Sequence, residues 1–249
     1  MKTFRKLVLA VAIVATWASC DKKEKGEELS PSQPTDKPII ANIPVASTEL
    51  LSYYFTLIIN EKSSLRILYF TKVGNQVQAT MDNVQGRRIH PVDLKNNVLT
   101  FDADGDGKKV YKFKLTRNFI NAPIILSSFE YKNQDLDTVS LKYAHIEKVS
   151  AVKEFRNKVF DFNIVHPDYS ETRLLFFSNN QFCIGTPPAV ITIFAPFYIV
   201  STGAWKGKSP SGEDCIGVST ISKNYGTGMW FQASGSPRTF FAREYASYP

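Results

Sequence analysis

Short runs of aromatic and β-branched residues, set apart by glycine- and asparagine-rich turns, fill the chain from Ile39 onward and confine it to antiparallel sheet. Residues 52–60 (SYYFTLIIN) and 65–71 (LRILYFT) are rich in such side chains, and 98–102 (VLTFD) and 110–115 (VYKFKL) alternate apolar with polar. Residues 138–143, 159–165, 173–178, 217–221 and 238–244 continue the series. Turn signals separate them at 73–75 (VGN), 95–97 (KNN), 104–107 (DGDG), 179–180 (NN) and 226–228 (GTG). This spacing predicts an all-β fold, an antiparallel meander forming a barrel or a sandwich, with very little helix. Residues 149–158 are the best short helical candidate.

A second pattern is internal. Residues 66–71 (RILYFT) recur as 173–178 (RLLFFS), an offset of 107 residues from Arg66 to Arg173, and each copy is followed by an Asn-Gln pair. Two similar lobes, 44–149 and 150–249, would account for it; so would convergence of amphipathic strands within one β domain, 44–249. Residues 74–115, short strands joined by Asn- and Gly-rich hairpins, resemble the meander of lipocalin-like β-barrels. That resemblance implies a barrel and carries no binding residue with it.

The N-terminus reads as an address. Lys2, Arg5 and Lys6 precede an uncharged run of 11 residues, 7–17, and then small residues, Ala18 and Ser19, before Cys20. A basic segment, an apolar segment and a small-residue cleavage site make a secretory signal, residues 1–19. As a helix the apolar run would span only about 16 Å, roughly half a bilayer's hydrocarbon core. Trp17-Ala18-Ser19-Cys20 resembles the lipobox of bacterial lipoproteins, with Trp17 where an aliphatic residue is usual. The resemblance implies cleavage before Cys20, acylation of its thiol with palmitate-type chains, and a place on the outer membrane or cell envelope, facing periplasm or exterior. Several acyl chains would hold firmly, at about 0.8 kcal/mol per buried CH₂. Residues 20–43 then read as the lipidated cysteine and a tether, since 21–38 (DKKEKGEELSPSQPTDKP) carry one large apolar residue. Such a coil spans about 25 Å. Asp21, Glu24, Glu27 and Glu28 also resemble a surface-export signal.

Removing the signal removes three cations, so the net charge falls from +7 to +4, with the remaining cations scattered. Nucleic-acid binding would need a clustered basic face, and none is present. Of the three cysteines, two remain after Cys20 is lipidated. Cys183 and Cys215 are an even pair in an oxidising compartment, and a bridge would close a loop of about 33 residues at roughly 3–4 kcal/mol. Two buried thiols are the alternative.

Catalytic signatures are absent: no G-x-S-x-G elbow, phosphate loop or H-E-x-x-H occurs. His90, His145 and His166 show no metal-ligand spacing. Asp102, Asp104 and Asp106, followed by Gly107, match the first half of a calcium loop. The second half fails, because Phe113 stands where the bidentate acid belongs, and Asp-Gly equally suits a hairpin tip. Calcium at these three residues is therefore the only cofactor candidate. The aromatics comprise 18 Phe, 11 Tyr and 3 Trp, a set that would mostly fill a core. Trp205, Trp230, Tyr198 and Tyr225 could instead stack on a ligand. The expected role is non-enzymatic: a lipid-anchored envelope protein that binds a glycan, an apolar molecule or a partner protein. An envelope-scaffolding lipoprotein, or a hydrolase built on carboxylates such as Asp161 and Glu171, are the alternatives.

Overall fold

The computed structural model describes residues 43–59, 64–135, 141–149, 155–161, 173–176, 179–185, 195–201, 203–209, 211–222, 226–236 and 238–247. The chain from Ile40 to Pro249 forms one compact unit. Its first half starts with a 3-10 helix, Ser47–Ser52, then strands β1 (Tyr53–Ile59), β2 (Ser64–Val73), β3 (Gln76–Asn83) and β4 (Gly86–Pro91). It continues through β5 (Asp93–Lys95), β6 (Val98–Asp102), β7 (Lys109–Thr116), β8 (Ile125–Asn133) and β9 (Leu141–Lys148). The second half comprises β10 (Lys158–Asp161), β11 (Arg173–Phe176), β12 (Gln181–Gly185), β13 (Ala195–Ser201), β14 (Ala204–Lys208), β15 (Asp214–Ser222), β16 (Gly226–Ala233) and β17 (Phe240–Ser247). The all-β antiparallel expectation holds. Of the helical candidate at 149–158, residues 150–154 lie outside the described residues, Val149 is 3-10 in conformation, and 155–157 form a turn leading into β10 at Lys158.

The first meander is a sandwich. One sheet runs β4-β3-β2-β1-β9 and the other β5-β6-β7-β8. β4 and β5 are separated only by Val92, so the chain crosses between the sheets at that residue. Phe55, Leu57, Leu68, Phe70 and Met81 from one sheet meet Leu99, Phe101, Tyr111, Phe113 and Leu115 from the other. Period-two alternation produces this directly, since every second residue of each strand faces the gap. Lys95-Asn96-Asn97 makes the tight turn expected of it, with both asparagines left-handed (φ 50° and 61°). That geometry suits a two-residue hairpin of primed type.

The second meander closes. β10 to β17 pair in sequence order, and β17 returns onto β10 through Phe160–Glu244 and Asp161–Arg243. Eight strands leave an interior just wide enough for side chains. Here it is filled by Phe160, Leu174, Phe176, Phe182, Phe197, Trp205, Met229 and Phe231. The closed barrel thus sits at 158–247. Residues 74–115, which resemble a barrel meander in sequence, form parts of two separate sheets.

The recurring hexapeptides occupy matching places. Residues 66–71 lie in β2 and 173–176 in β11, each the second strand of its meander. In both meanders the final strand returns to pair with the first, β9 with β1 and β17 with β10.

The two meanders meet along a shared seam. β1 is buried along its whole length, because Tyr53, Phe55, Leu57 and Ile59 face the sandwich core while Tyr54 and Ile58 face the barrel wall. Tyr54, Ile58, Leu65, Ile67 and Tyr69 pack there with Ala204, Ile216 and Val218. Burying each large side chain contributes about 1.5–3 kcal/mol. Polar bonds fix the register: Gln232 Oε1 accepts from Leu65 N at 2.9 Å, and Lys206 Nζ donates to the fully buried Asp82 at 3.2 Å and to the Asn83 carbonyl at 2.9 Å. Arg87 and the Tyr69 hydroxyl complete the shell around Asp82, so its charge is compensated from both meanders.

Candidate functional site

At one end of the sandwich the inward-facing positions change from apolar to charged. Leu68 and Phe70 point into the core, and Arg66, two residues earlier on the same face of β2, points there too. Asn83 continues the inward row of Met81 on β3, Arg88 stands beside Met81 on β4, and Lys109 continues the row of Tyr111 on β7. Together with Gln85, Ala103 and Asp104 they line a cleft of about 220 Å³.

Arg66 is the unusual member. It is only 9 % exposed, and its guanidinium lies 5.5 Å from the Tyr111 ring centroid and 5.3 Å from that of Tyr131. The two tyrosines come from the opposite sheet and stack on each other at 4.4 Å and 28°. A weakly hydrated, planar cation on aromatic faces is stabilised by their quadrupoles. Burying that charge still costs desolvation, and a hydrophobic residue in phase with Leu68 would avoid it. Asp104 pairs with Lys109 at 3.1 Å and Arg88 at 3.6 Å, and its carboxylate holds the Lys109 ammonium above its usual range. Among the described residues, the lining therefore carries three cations against one carboxylate. Sequence reasoning noticed Arg66 only as the first letter of the recurring hexapeptide. The signal available was its phase, a charge on the core side of an apolar strand.

The calcium candidates do not converge. Asp102 accepts from the Gly105 and Gly107 amides at 3.0 and 2.8 Å, Asp106 from the Lys108 amide at 3.0 Å, and Asp104 faces the cleft cations. The Lys108 amide, foremost, keeps the Asp106 carboxyl below the ordinary range. Among the described residues no group of three His, Cys, Asp or Glu side chains could hold a metal. The loop between β6 and β7 is a hairpin tip capped by its own carboxylates.

Nor do the stacking candidates assemble. Trp205 is fully buried inside the barrel, between Phe182 at 4.7 Å and Phe176 at 5.1 Å, with its indole N–H donating to Met229 Sδ. Trp230 faces the other way, into the seam against Tyr143 and Phe241. Tyr198 is exposed on β13, and Tyr225 lies outside the described residues. The sequence could not show this, because only the barrel register sorts Trp205 inward and Trp230 outward.

Cys183 and Cys215 are not bridged to each other. They lie on β12 and β15, with β13 and β14 between them in the barrel wall. Cys215 faces the interior, whereas Cys183 follows the inward Phe182 and so faces out. A disulfide needs Cα atoms within about 7 Å and converging Cβ vectors. The expected bond therefore does not form.

His90 stacks edge-on to Phe101 and contacts the Ala103 carbonyl, and His145 lies 3.6 Å from Glu147. His166, Glu171 and Cys20 lie outside the described residues, and no described helix is long and apolar enough to cross a membrane. No family model, curated protein or solved structure matches the chain.

Proposed function

We propose that this chain is a lipid-anchored cell-envelope protein that binds an acidic, hydroxyl-rich ligand, such as an acidic glycan, in the charged cleft of the sandwich. The observation that carries the reading is the buried Arg66 guanidinium on Tyr111 and Tyr131, opening onto Arg88 and Lys109. Arginine forks match carboxylates in two bonds, and a low-dielectric setting strengthens them. Asn83 and Gln85 supply neutral donors and acceptors for hydroxyls. Apolar ligands are disfavoured, because the barrel that would receive one is packed with its own rings.

Calorimetry with uronic-acid oligosaccharides, matched neutral oligosaccharides and a fatty acid tests the reading. Acidic sugars should bind, and R88A/K109A should weaken them by roughly tenfold or more, since each charged hydrogen bond contributes about 1.5–3 kcal/mol. Raising salt should weaken binding in the same direction. Preference for neutral sugar or fatty acid, or affinity unchanged in R88A/K109A, would overturn it.

A further inference from the structure

The end of the sandwich opposite the cleft carries an apolar tip. The loop from Arg117 to Ile124 joins β7 to β8, and Phe119 and Ile120 at its apex are 64 % and 71 % exposed. Val73, on the β2–β3 turn at the same end, and Ile125, at the start of β8, are exposed as well. The base of this loop is braced. Arg117 grips Glu49 with two bonds of 2.7 Å and donates to the Pro44 carbonyl, and the Tyr53 hydroxyl accepts from Ile124 N at 3.1 Å. A bond of 3.0 Å from Ala122 N to the Phe119 carbonyl closes the turn, with Asn121 left-handed at φ 67°. Two large apolar side chains are thus held outward by a fixed frame, with Ala122 and Ile124 buried beneath.

The chain joins the fold at this same end. Asn97 accepts from Val45 N and donates to the Ile43 carbonyl, both at 2.8 Å, and Arg117 holds Pro44. Cys20 lies 23 residues before Ile43, a coil length of about 25 Å. The cleft is at the other end of β7, whose 8 residues separate the two ends by about 24 Å.

We infer that the Phe119–Ile120 turn is a membrane-contact tip. It dips into the bilayer interface beside the lipid on Cys20 and sets the protein with its charged cleft facing away from the membrane. The inference rests on the lipid-anchor reading for its geometry and on the braced, exposed turn for its chemistry. Apolar side chains entering the acyl boundary gain burial without needing anionic lipid. The occupant is therefore a neutral phosphatidylcholine surface.

The test uses the full chain extracted from membranes and reconstituted into phosphatidylcholine vesicles. Ile120→Cys and, separately, Asp106→Cys carry the same fluorophore, and brominated lipids act as quenchers. Mass analysis of the N-terminal peptide reports acylation of Cys20. The Ile120 label should lose emission with brominated lipid, the Asp106 label should not, and Phe119→Ser should reduce the loss at position 120. High salt should leave the pattern unchanged. An acylated chain whose Ile120 label is quenched no more than the Asp106 label overturns the tip and leaves the anchor standing. An unacylated chain whose Ile120 label is still quenched on added vesicles removes the anchor and supports the tip. No acyl chain and no quenching removes both.

Discussion

The hydroxyl of Tyr54 lies 2.5 Å from the Glu147 carboxylate, joining the first strand of the sandwich to the last, and 2.7 Å from the Ser219 carbonyl of the barrel. One phenol thereby ties three strands at the point where the meanders meet. Thr220 and the Ile221 amide, both from β15, also donate to Glu147, so the carboxylate is held by both halves of the chain. A network of this kind is costly to break, because each buried group left unpaired loses its hydration without recompense.

Stability should accordingly fall at alkaline pH. Burial, and then the Glu147 charge, push the Tyr54 phenol far above its ordinary value of 10; burial and then Asp82 do the same for Tyr69. A phenol whose folded value is raised stabilises the fold fully below its unfolded value, and that contribution is lost as pH climbs beyond it. Each such group should remove about 1.4 kcal/mol per pH unit above about 10. Urea denaturation between pH 8 and 11 should show the decline. Tyr54→Phe should cost about 1–3 kcal/mol at pH 8 and flatten the alkaline slope. A wild-type midpoint constant to pH 11 would contradict the buried phenols.

Gly217 faces Trp205 across neighbouring strands of the barrel, and a Cβ there would lie 2.4 Å from the indole nitrogen. Gly217→Ala should therefore overpack the interior and destabilise the protein by about 1–3 kcal/mol. Gly86 is a suitable control, since its Cβ would meet nothing closer than Arg88 at 3.9 Å. Equal denaturation midpoints for the two alanine variants would mean that Trp205 does not sit where described.

Both cysteines in the barrel should behave as inert thiols. Each is fully buried, and burial pushes the Cys215 thiol up to about 12, so at pH 8 only about one part in ten thousand is thiolate. Ellman's reagent should react with neither in the native protein and with both after denaturation, and reductant should leave the melting temperature unchanged. A peptide linking Cys183 to Cys215 in non-reducing digests would refute the arrangement.

Much of this architecture is written in local chemistry. Alternation in VLTFD places β6 at residues 98–102, and the Asn-Asn pair at 96–97 sets the hairpin before it. Strand β1 is legible in SYYFTLIIN for the same reason, since β-branched and aromatic side chains suit a pleated surface. The polar β8 (ILSSFEYKN) and the glycine-bearing β14 (AWKGK) escape such reading, because pairing with β7 for the one, and with β13 and β15 for the other, makes them strands, not their own composition. The GTG signal at 226–228, read as a turn, lies within β16: Gly226 opens the strand at φ 74°, and at Gly228 a Cβ would be 2.3 Å from the Phe241 ring.

The sequence by itself determined most of the strands and tight turns, and the periodicity that gives each strand an inner and an outer face. Those depend on interactions within a few residues, which composition records. Tertiary structure alone decided that one meander closes while the other bends at Val92 into two sheets. It also placed Trp205 inside the barrel, put Cys183 and Cys215 on opposite faces of its wall, and carried Arg66 to the mouth of the sandwich beside tyrosines 45 and 65 residues away. Such outcomes depend on which strands become neighbours, and pairing between residues distant in the chain leaves no mark on either segment alone.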